Sequence, residues 1–190
     1  MFSVISRLVK GVKGGVVSAL KGTADIGSSI INVVKDLTVS TLEDSTEFVK
    51  AGINVPASIV KGALAGVGEI GASVVGAIKG VVNGTVQGLM EKDIDQEVAV
   101  RGSVNQAVHS AKDLGVDVGE AATEAIKGAV KGAGQLGGDT TKATKTAVVA
   151  AYNAAKEIGG ETFKVVKESI SSGIDGGEKI IEAIKKEEEK

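Results

Sequence analysis

The sequence predicts an all-α protein of long amphipathic helices, arranged as an antiparallel helical hairpin or an elongated bundle. Three observations lead to this prediction: an eleven-residue apolar repeat, a scarcity of aromatic residues and a single proline. The 190 residues include three Phe, one Tyr and no Trp, and the 43% apolar fraction is mostly Val, Ala, Ile and Leu. Because aromatic side chains dominate thick globular cores, such a composition favours a thin seam between helices.

The eleven-residue repeat is visible when the chain is read in steps of eleven from Val9. Thirteen of the sixteen residues met between Val9 and Ile174 are apolar. Eleven residues make three turns at about 3.67 residues per turn, so this spacing keeps one helical face. The repeats also alternate in a 22-residue pattern that places a large apolar residue before Gly. These pairs are Ile26-Gly27, Ile70-Gly71, Leu114-Gly115, Leu136-Gly137 and Ile158-Gly159.

We expect one continuous apolar stripe along the helices, which forms the membrane or interface contact. Polar residues on the opposite face, such as Asn32 and Gln87, should remain solvated and tolerate substitution by Asp. The stripe residues are Phe2, Ile5, Leu8, Val9, Val12, Val16, Leu20, Ile31, Leu42, Ile53, Leu64, Val75, Val86, Tyr152 and Phe163.

A charged segment at 91–97, EKDIDQE, divides the chain into an N-terminal repeat half, 1–90, and a C-terminal half, 98–190, with a Lys/Glu-rich end. Its charges fall on the stripe, where unpaired burial would be costly, so we expect a hinge there. Pro56 predicts a kink or turn near 54–56. Further candidate breaks are the Gly-Gly pairs at 14–15, 137–138, 159–160 and 176–177.

The first 24 residues form a basic amphipathic segment. Arg7, Lys10, Lys13 and Lys21 lie along one side of it, and no acidic residue precedes Asp25. A helix of this kind binds a membrane interface, with its apolar face at the acyl boundary and its cations near anionic headgroups. The alternative is that the segment forms the first two repeats of a protein–protein seam.

A ridge of small residues follows in the first half of the chain. Gly76, Gly80, Gly84 and Gly88 stand four apart and share one helical face. Small residues at this spacing let helices approach closely, as they do within membranes. The ridge therefore predicts close helix–helix contact, either in a membrane or between soluble helices.

The glycine content predicts that the helices need a partner surface. The chain contains 27 Gly, and each Gly inside a helix costs roughly 0.8–1.0 kcal/mol relative to Ala. An isolated helix of this sequence should be poorly populated in water. Lipid or another helix has to supply the missing stability.

Charge and motifs argue against several function classes. The 22 Lys and Arg against 24 Asp and Glu leave no basic excess for nucleic acid. The chain has no Cys, no nucleophile elbow and no metal-ligand spacing, so we expect neither an enzyme nor a cofactor. Gly66 to Gly71 satisfies GxGxxG but lies within the repeat rather than between a strand and a helix. The only histidine, His109, is expected to be a solvated surface residue.

The lysines near the start of the sequence also bear on where in the cell the protein is located. Lys10 and Lys13 interrupt any uniform apolar leader segment, and no run of 18 uncharged apolar residues appears. We therefore expect a cytoplasmic protein that is peripheral to a membrane or lipid body.

Lys-containing undecads rich in Val, Ala, Gly and Thr recur along the chain, for example KATKTAV at 142–148 and KGAVKGAG at 127–134. They resemble the repeats of synucleins, perilipin-type lipid-droplet coats and exchangeable apolipoproteins. The resemblance covers the period over most of the chain. It implies reversible binding of a long helix to lipid surfaces.

These observations lead to three functional hypotheses. The first is a non-enzymatic protein that coats or associates with a lipid or membrane surface through the stripe. The second is a self-assembling helical scaffold in which the stripes meet each other. The third is a desiccation protectant with eleven-residue repeats, which the mean hydropathy of +0.19 disfavours. The expected partners are a lipid or membrane surface and further copies of the chain, and not nucleic acid.

Overall fold

A computed structural model describes residues 2–43 and 54–190, and every regular element in these ranges is an α-helix. The all-α class predicted from the sequence is therefore confirmed. Ile53 and the side chain of Phe2 lie outside the described residues. The described helices are α1 (Phe2–Leu20), α2 (Ile26–Glu43), α3 (Val55–Glu69), α4 (Val74–Glu91), α5 (Gln96–Asp113), α6 (Val118–Gln135), α7 (Thr140–Ile158), α8 (Gly160–Gly173) and α9 (Gly177–Glu188).

The 22-residue pattern of the sequence corresponds to one helix and one turn. Helices α4, α5 and α6 have 18 residues each, and a turn of four residues follows each of them. The helices are thus shorter than a continuous stripe suggests, because a left-handed residue ends them at regular intervals. These residues are Gly71, Asp93, Gly115 and Gly137, with φ of 75°, 58°, 69° and 75°.

Each of these turns closes the preceding helix with a backbone hydrogen bond that reaches back five residues. The Ala72 amide donates to the Val67 carbonyl at 3.2 Å, and the Val116 amide donates to the Ala111 carbonyl at 3.0 Å. Such bonds satisfy carbonyls that have no partner within the helix. The pairs of a large residue and Gly therefore mark helix C-termini, as at Leu114-Gly115.

The same turns also start the next helix. A Ser or Asp at the fourth turn position caps it, and each such cap stabilises a helix by about 1 kcal/mol. The side chains of Ser73, Asp95, Asp117 and Asp139 accept hydrogen bonds of 2.8–3.1 Å from the amides of Gly76, Glu97, Glu120 and Lys142.

The charged segment 91–97 contains the turn between α4 and α5. Its Asp93 occupies the left-handed position that Gly occupies in three similar turns. Lys92 forms an ion pair with Glu43 at the end of α2, so this charge stays at the surface. The turn is one of several alike, and the helices before and after it share one hydrophobic core.

One pair of a large residue and Gly behaves differently from the others. Ile26-Gly27 opens α2 instead of closing a helix. The reason is that Asp25 caps α2, accepting a hydrogen bond of 3.1 Å from the Ser28 amide. The preceding turn has its own left-handed residue, Gly22, with φ of 83°.

The proline lies at a helix start. Helix α3 begins at Val55, and the Asn54 side chain accepts a hydrogen bond of 3.2 Å from the Ala57 amide. Pro56 occupies the first turn, where its missing N–H would have no helical partner in any case. Among the Gly-Gly pairs, 14–15 lies inside α1, whereas the other three lie at helix ends.

The helices stack in two layers, with odd-numbered helices in one and even-numbered helices in the other. The most extensive contacts join α2 with α4, α4 with α6, and α1 with α3. Helices that follow each other across the four-residue turns are antiparallel, so next-but-one neighbours run parallel. The core contains Leu, Ile and Val side chains, such as Ile59, Leu64 and Ile78, and becomes richer in Ala in α7.

Candidate functional site: the basic first helix and the helix contacts

Helix α1 has one apolar face, and this face packs on α3. Close packing is possible because α3 presents glycines at the contact. A Cβ added to Gly66 would lie 3.0 Å from both the Lys13 carbonyl oxygen and the Val16 Cβ. The buried residues of this face stand four apart, and they are Leu8, Val12, Val16 and Leu20.

The cations of α1 lie outside this apolar face. Arg7 and Lys10 are exposed, as is Lys21 directly after the helix, and the half-buried Lys13 forms an ion pair with Glu69 at the end of α3. Helix α1 contains no acidic residue, so its solvent side carries positive charge alone.

Helix α1 also occupies the end of the odd-numbered layer. Its main contacts are with α3 and, less extensively, with α2. Helices α3 and α5, by contrast, have a same-layer neighbour on each side. Local opening requires the least free energy where the fewest apolar contacts are lost. We therefore expect α1 to separate from the stack more easily than the helices inside it.

The remaining stripe residues lie between helices. Leu64, Val86 and Tyr152 are buried. The half-buried members are Ile5, Val9, Ile31, Leu42, Val75 and Phe163. In the folded chain the stripe of one helix thus packs against neighbouring helices.

Three of the four glycines of the predicted ridge lie between α4 and α2. A Cβ added to Gly80, Gly84 or Gly88 would overlap atoms of α2. Gly76 differs, because it is exposed in the first turn of α4 and only its N-cap Ser73 lies near it. The close approach is therefore between two helices of the same layer.

The same glycine contact recurs beyond this ridge. Gly128 and Gly132 bring α6 against the α4 backbone, and Gly62 and Gly66 bring α3 against α1. The two glycines of each pair stand four residues apart. The pairs Gly62/Gly66 of α3, Gly84/Gly88 of α4 and Gly128/Gly132 of α6 are offset from one another in the sequence by whole multiples of 22 residues. Comparing glycines at a spacing of 22 would have revealed this recurrence in the sequence.

Gln87 corrects one prediction from the sequence. It is buried, at 7% exposure, although the repeat places it on the polar side. Its Nε2 donates to Asn83 Oδ1 at 2.6 Å and to Gln135 Oε1 at 3.0 Å. Helix α6 covers this side of α4, so a central helix of the stack has no fully solvated face there.

His109 also differs from its predicted place on a solvated surface. It is half-buried on α5, and its Nε2 lies 3.0 Å from Glu157 Oε2 on α7. The contact joins two helices of the odd-numbered layer. It is a polar link at the edge of the core.

Aromatic and charged residues connect the last three helices. The ring centroids of Tyr152 and Phe163 are 5.0 Å apart in an edge-to-face arrangement, and Lys167 Nζ lies 4.5 Å from the Phe163 centroid. Lys156 Nζ lies 2.7 Å from Glu188 Oε1 on α9. Burial raises the pKa of the Tyr152 hydroxyl, and the negative charge of Glu188 raises this pKa further.

An open cleft of about 450 Å³ lies over the second half of α6. It forms because α8 ends early: Gly173, its last residue, lies beside Thr123, so α8 does not cover α6 beyond that level. Ile126, Val130 and Ile174 supply its apolar lining, and Lys79, Lys127 and Lys131 its cations. Thr144, Gly173 and Asp175 complete the lining.

Comparisons with family models, with curated proteins and with solved structures give no match for this chain. Within residues 2–43 and 54–190, no helix combines the length and apolar character needed to cross a membrane. The same ranges contain no cluster of three or more His, Asp and Glu that could hold a metal ion.

Proposed function

We propose that this protein is a non-enzymatic, peripheral protein that associates reversibly with anionic lipid surfaces, with α1 making the first contact. One observation carries the proposal: α1 combines an apolar face with a solvent side on which every charged residue is basic. The resemblance of the undecads to lipid-surface proteins supports the same function. The proposed location is the cytoplasmic face of a membrane or lipid body.

Binding begins with electrostatic attraction. Arg7, Lys10 and Lys21 project into solvent, where each cation near an anionic surface contributes about 1 kcal/mol. Lys13 is paired with Glu69 at a partly exposed position, and ion pairs of this kind contribute only about 0–1 kcal/mol. This pair therefore opposes the separation of α1 from α3 only weakly.

Insertion follows when the apolar face of α1 leaves its contact with α3 and contacts lipid instead. Leu8, Val12, Val16 and Leu20 then enter the acyl boundary, where each buried CH₂ contributes about 0.8 kcal/mol. The face is apolar in both states, so α3 and lipid compete for it. The stripe on later helices allows the exchange to continue along the chain.

Vesicle co-sedimentation tests the proposal. Wild-type protein should bind vesicles of phosphatidylglycerol, bind phosphatidylcholine vesicles much less, and dissociate as salt is raised. The variant R7E/K10E/K21E should lose this binding. The control K61E/K112E/K145E changes the net charge equally at exposed lysines of other helices and should keep most of it. Equal loss in both variants would show that α1 is not the contact.

A second measurement tests insertion itself. Because the chain has no Cys, a Val9→Cys variant can carry a single fluorophore on the half-buried edge of the α1 face. Lipids with a quencher in the acyl chain should reduce its fluorescence on anionic vesicles. Binding without quenching would mean that α1 stays packed on α3, and it would contradict the insertion step.

The second candidate is a self-assembling scaffold. The specific observation in its favour is that one type of glycine contact joins α1 with α3, α2 with α4, and α4 with α6. A contact that repeats by translation within a chain has the form that continues between copies. Light scattering without lipid separates the two functions, since a concentration-dependent helical oligomer supports the scaffold and a monomer supports lipid association.

A further inference from the structure

We propose that the cleft over α6 binds one molecule of a medium- or long-chain fatty-acid anion. This binding goes beyond the proposed contact of α1 with a lipid surface and does not depend on it. The cleft lies on α4, α6, α7 and the end of α8, and none of its lining residues belongs to α1. The shape of the cleft, its charge and its origin in the fold support this binding.

The floor of the cleft suits an acyl chain. Ile126 and Ile174 are at most 9% exposed and belong to the hydrophobic core, and the half-buried Val130 packs against that core. The volume of about 450 Å³ falls within the range of small-molecule pockets, roughly 300–1,000 Å³. A helix from a second copy, about 10 Å across, is too wide for such a cleft to enclose.

The rim of the cleft suits a carboxylate. Among the described residues, Lys79 and Lys131 have no carboxylate within 4.0 Å, and the one ion-pair partner of Lys127 is Glu124 on the same helix at 3.1 Å. Three lysines face one acid, Asp175, so the lining is net positive. Lysine stems also extend apolar surface while their ammonium groups stay near water, which matches an amphiphile with an anionic head.

The origin of the cleft explains why it is apolar. On α4, the corresponding surface is covered by α6, where Gly128 and Gly132 approach Lys79 and Asn83. On α6, the next helix of the layer stops at Gly173 and the chain turns into α9. The strip of α6 that a neighbouring helix would cover is therefore left open beside three cations. An acyl chain lying along this strip takes the place of that helix.

Isothermal titration calorimetry with dodecanoate, below its micelle-forming concentration, tests the proposal. We expect saturable binding of one dodecanoate per chain, and no comparable binding of dodecyltrimethylammonium, hexanoate or inorganic phosphate. The K79Q/K131Q variant should bind at least about tenfold more weakly, because it loses two charge-assisted contacts. The matched control K61Q/K112Q, at exposed lysines outside the cleft, should bind as the wild type does.

A steric variant and an NMR map complete the test. Val130→Phe fills the floor without adding charge and should abolish binding while the helical circular dichroism is retained. Dodecanoate should shift the amide signals of Ile126, Val130 and Ile174 in the wild type. Unchanged affinity of K79Q/K131Q, equal binding of the cationic surfactant, or signal shifts confined to α1 would each overturn the proposal.

Dodecanoate binding in the cleft and vesicle binding by α1 can be lost separately. R7E/K10E/K21E should bind dodecanoate normally although it loses vesicle binding. K79Q/K131Q should sediment with anionic vesicles although it loses dodecanoate. If one substitution set removes both activities, the two sites are not independent and the cleft is not a separate site.

Discussion

Gln87 of α4 donates a hydrogen bond of 3.0 Å to Gln135 of α6, which links two parallel helices of one layer. The same amide nitrogen donates to Asn83 at 2.6 Å, so both of its protons are used. Gly132 approaches Asn83 at this contact. The hydrogen bond therefore lies where the two backbones come close together, and it favours one register of α6 on α4.

Replacing Gln87 with Ala should destabilise the fold by about 1–3 kcal/mol, because the buried acceptor on Asn83 loses its donor and the link to Gln135 is lost. Urea denaturation followed by circular dichroism measures the change. Asn32→Ala, at an exposed position of α2, should change stability by no more than about 0.5 kcal/mol. Similar effects of the two substitutions would argue against a structural role of the Gln87 contacts.

Gly84→Ala should destabilise the protein by about 1–3 kcal/mol, because a Cβ there meets the α2 backbone and the helices cannot separate without losing contacts. Gly14→Ala is the matched control, since it lies inside α1 with nothing within 4 Å of an added Cβ. It should stabilise the protein by about 0.8–1 kcal/mol through helix propensity. Thermal unfolding should thus show a lower melting temperature than that of the wild type for Gly84→Ala and a higher one for Gly14→Ala. A stabilising Gly84→Ala would disprove the close approach.

Asp93→Gly should stabilise the protein by about 0.5 kcal/mol. The left-handed conformation at Asp93, with φ of 58°, costs an L residue about 1–2 kcal/mol, although the cost is smaller for Asp. Gly removes this cost, but its added flexibility in the unfolded chain offsets part of the gain in stability. Gly115→Ala, at the same place in the next turn, should destabilise by about 1 kcal/mol for the converse reason. Chemical denaturation measures both, and a destabilised Asp93→Gly would mean that the Asp93 side chain contributes more than its conformation costs.

Tyr152 should make stability depend on pH in the alkaline range. Burial, followed by the charge of Glu188, raises its pKa in the folded state above the unfolded value of about 10. A group with a raised pKa contributes its full stability below the unfolded pKa and loses it as pH rises through the folded pKa. The urea midpoint should therefore fall above about pH 10, and Tyr152→Phe should lessen this fall. An identical pH profile for the two proteins would contradict the assignment.

The helix class and the close helix contacts are readable from the sequence because they depend on local patterns. The eleven-residue period and the glycines at Gly80, Gly84 and Gly88 predict amphipathic helices that approach closely, and both features are present in the structure. The repeated turns are also encoded locally by a four-residue pattern: a large residue, Gly, any residue, and then Ser or Asp. The Gly signals the end of one helix, and the Ser or Asp signals the start of the next. The prediction of one continuous apolar stripe did not include these turns, because the eleven-residue period of apolar residues continues through them.

Other features depend on which helix lies beside which, and a single-helix period does not contain that information. Gln87 is on the polar side of its own repeat and becomes buried only because α6 packs there. The cleft beside Lys79 and Lys131 exists only because α8 stops at Gly173, on the far side of α6 from α4. Both are consequences of stacking.

The equal spacing of the turns has a consequence for how the gene can change. An Asp precedes the helix at Asp95 and again at Asp139, so removing residues 96–139 would join equivalent points of the chain. Loss or duplication of such a pair of units keeps the direction of every later helix, whereas a single unit would reverse it and exchange the layers. Natural variants of different length should accordingly differ by even numbers of units.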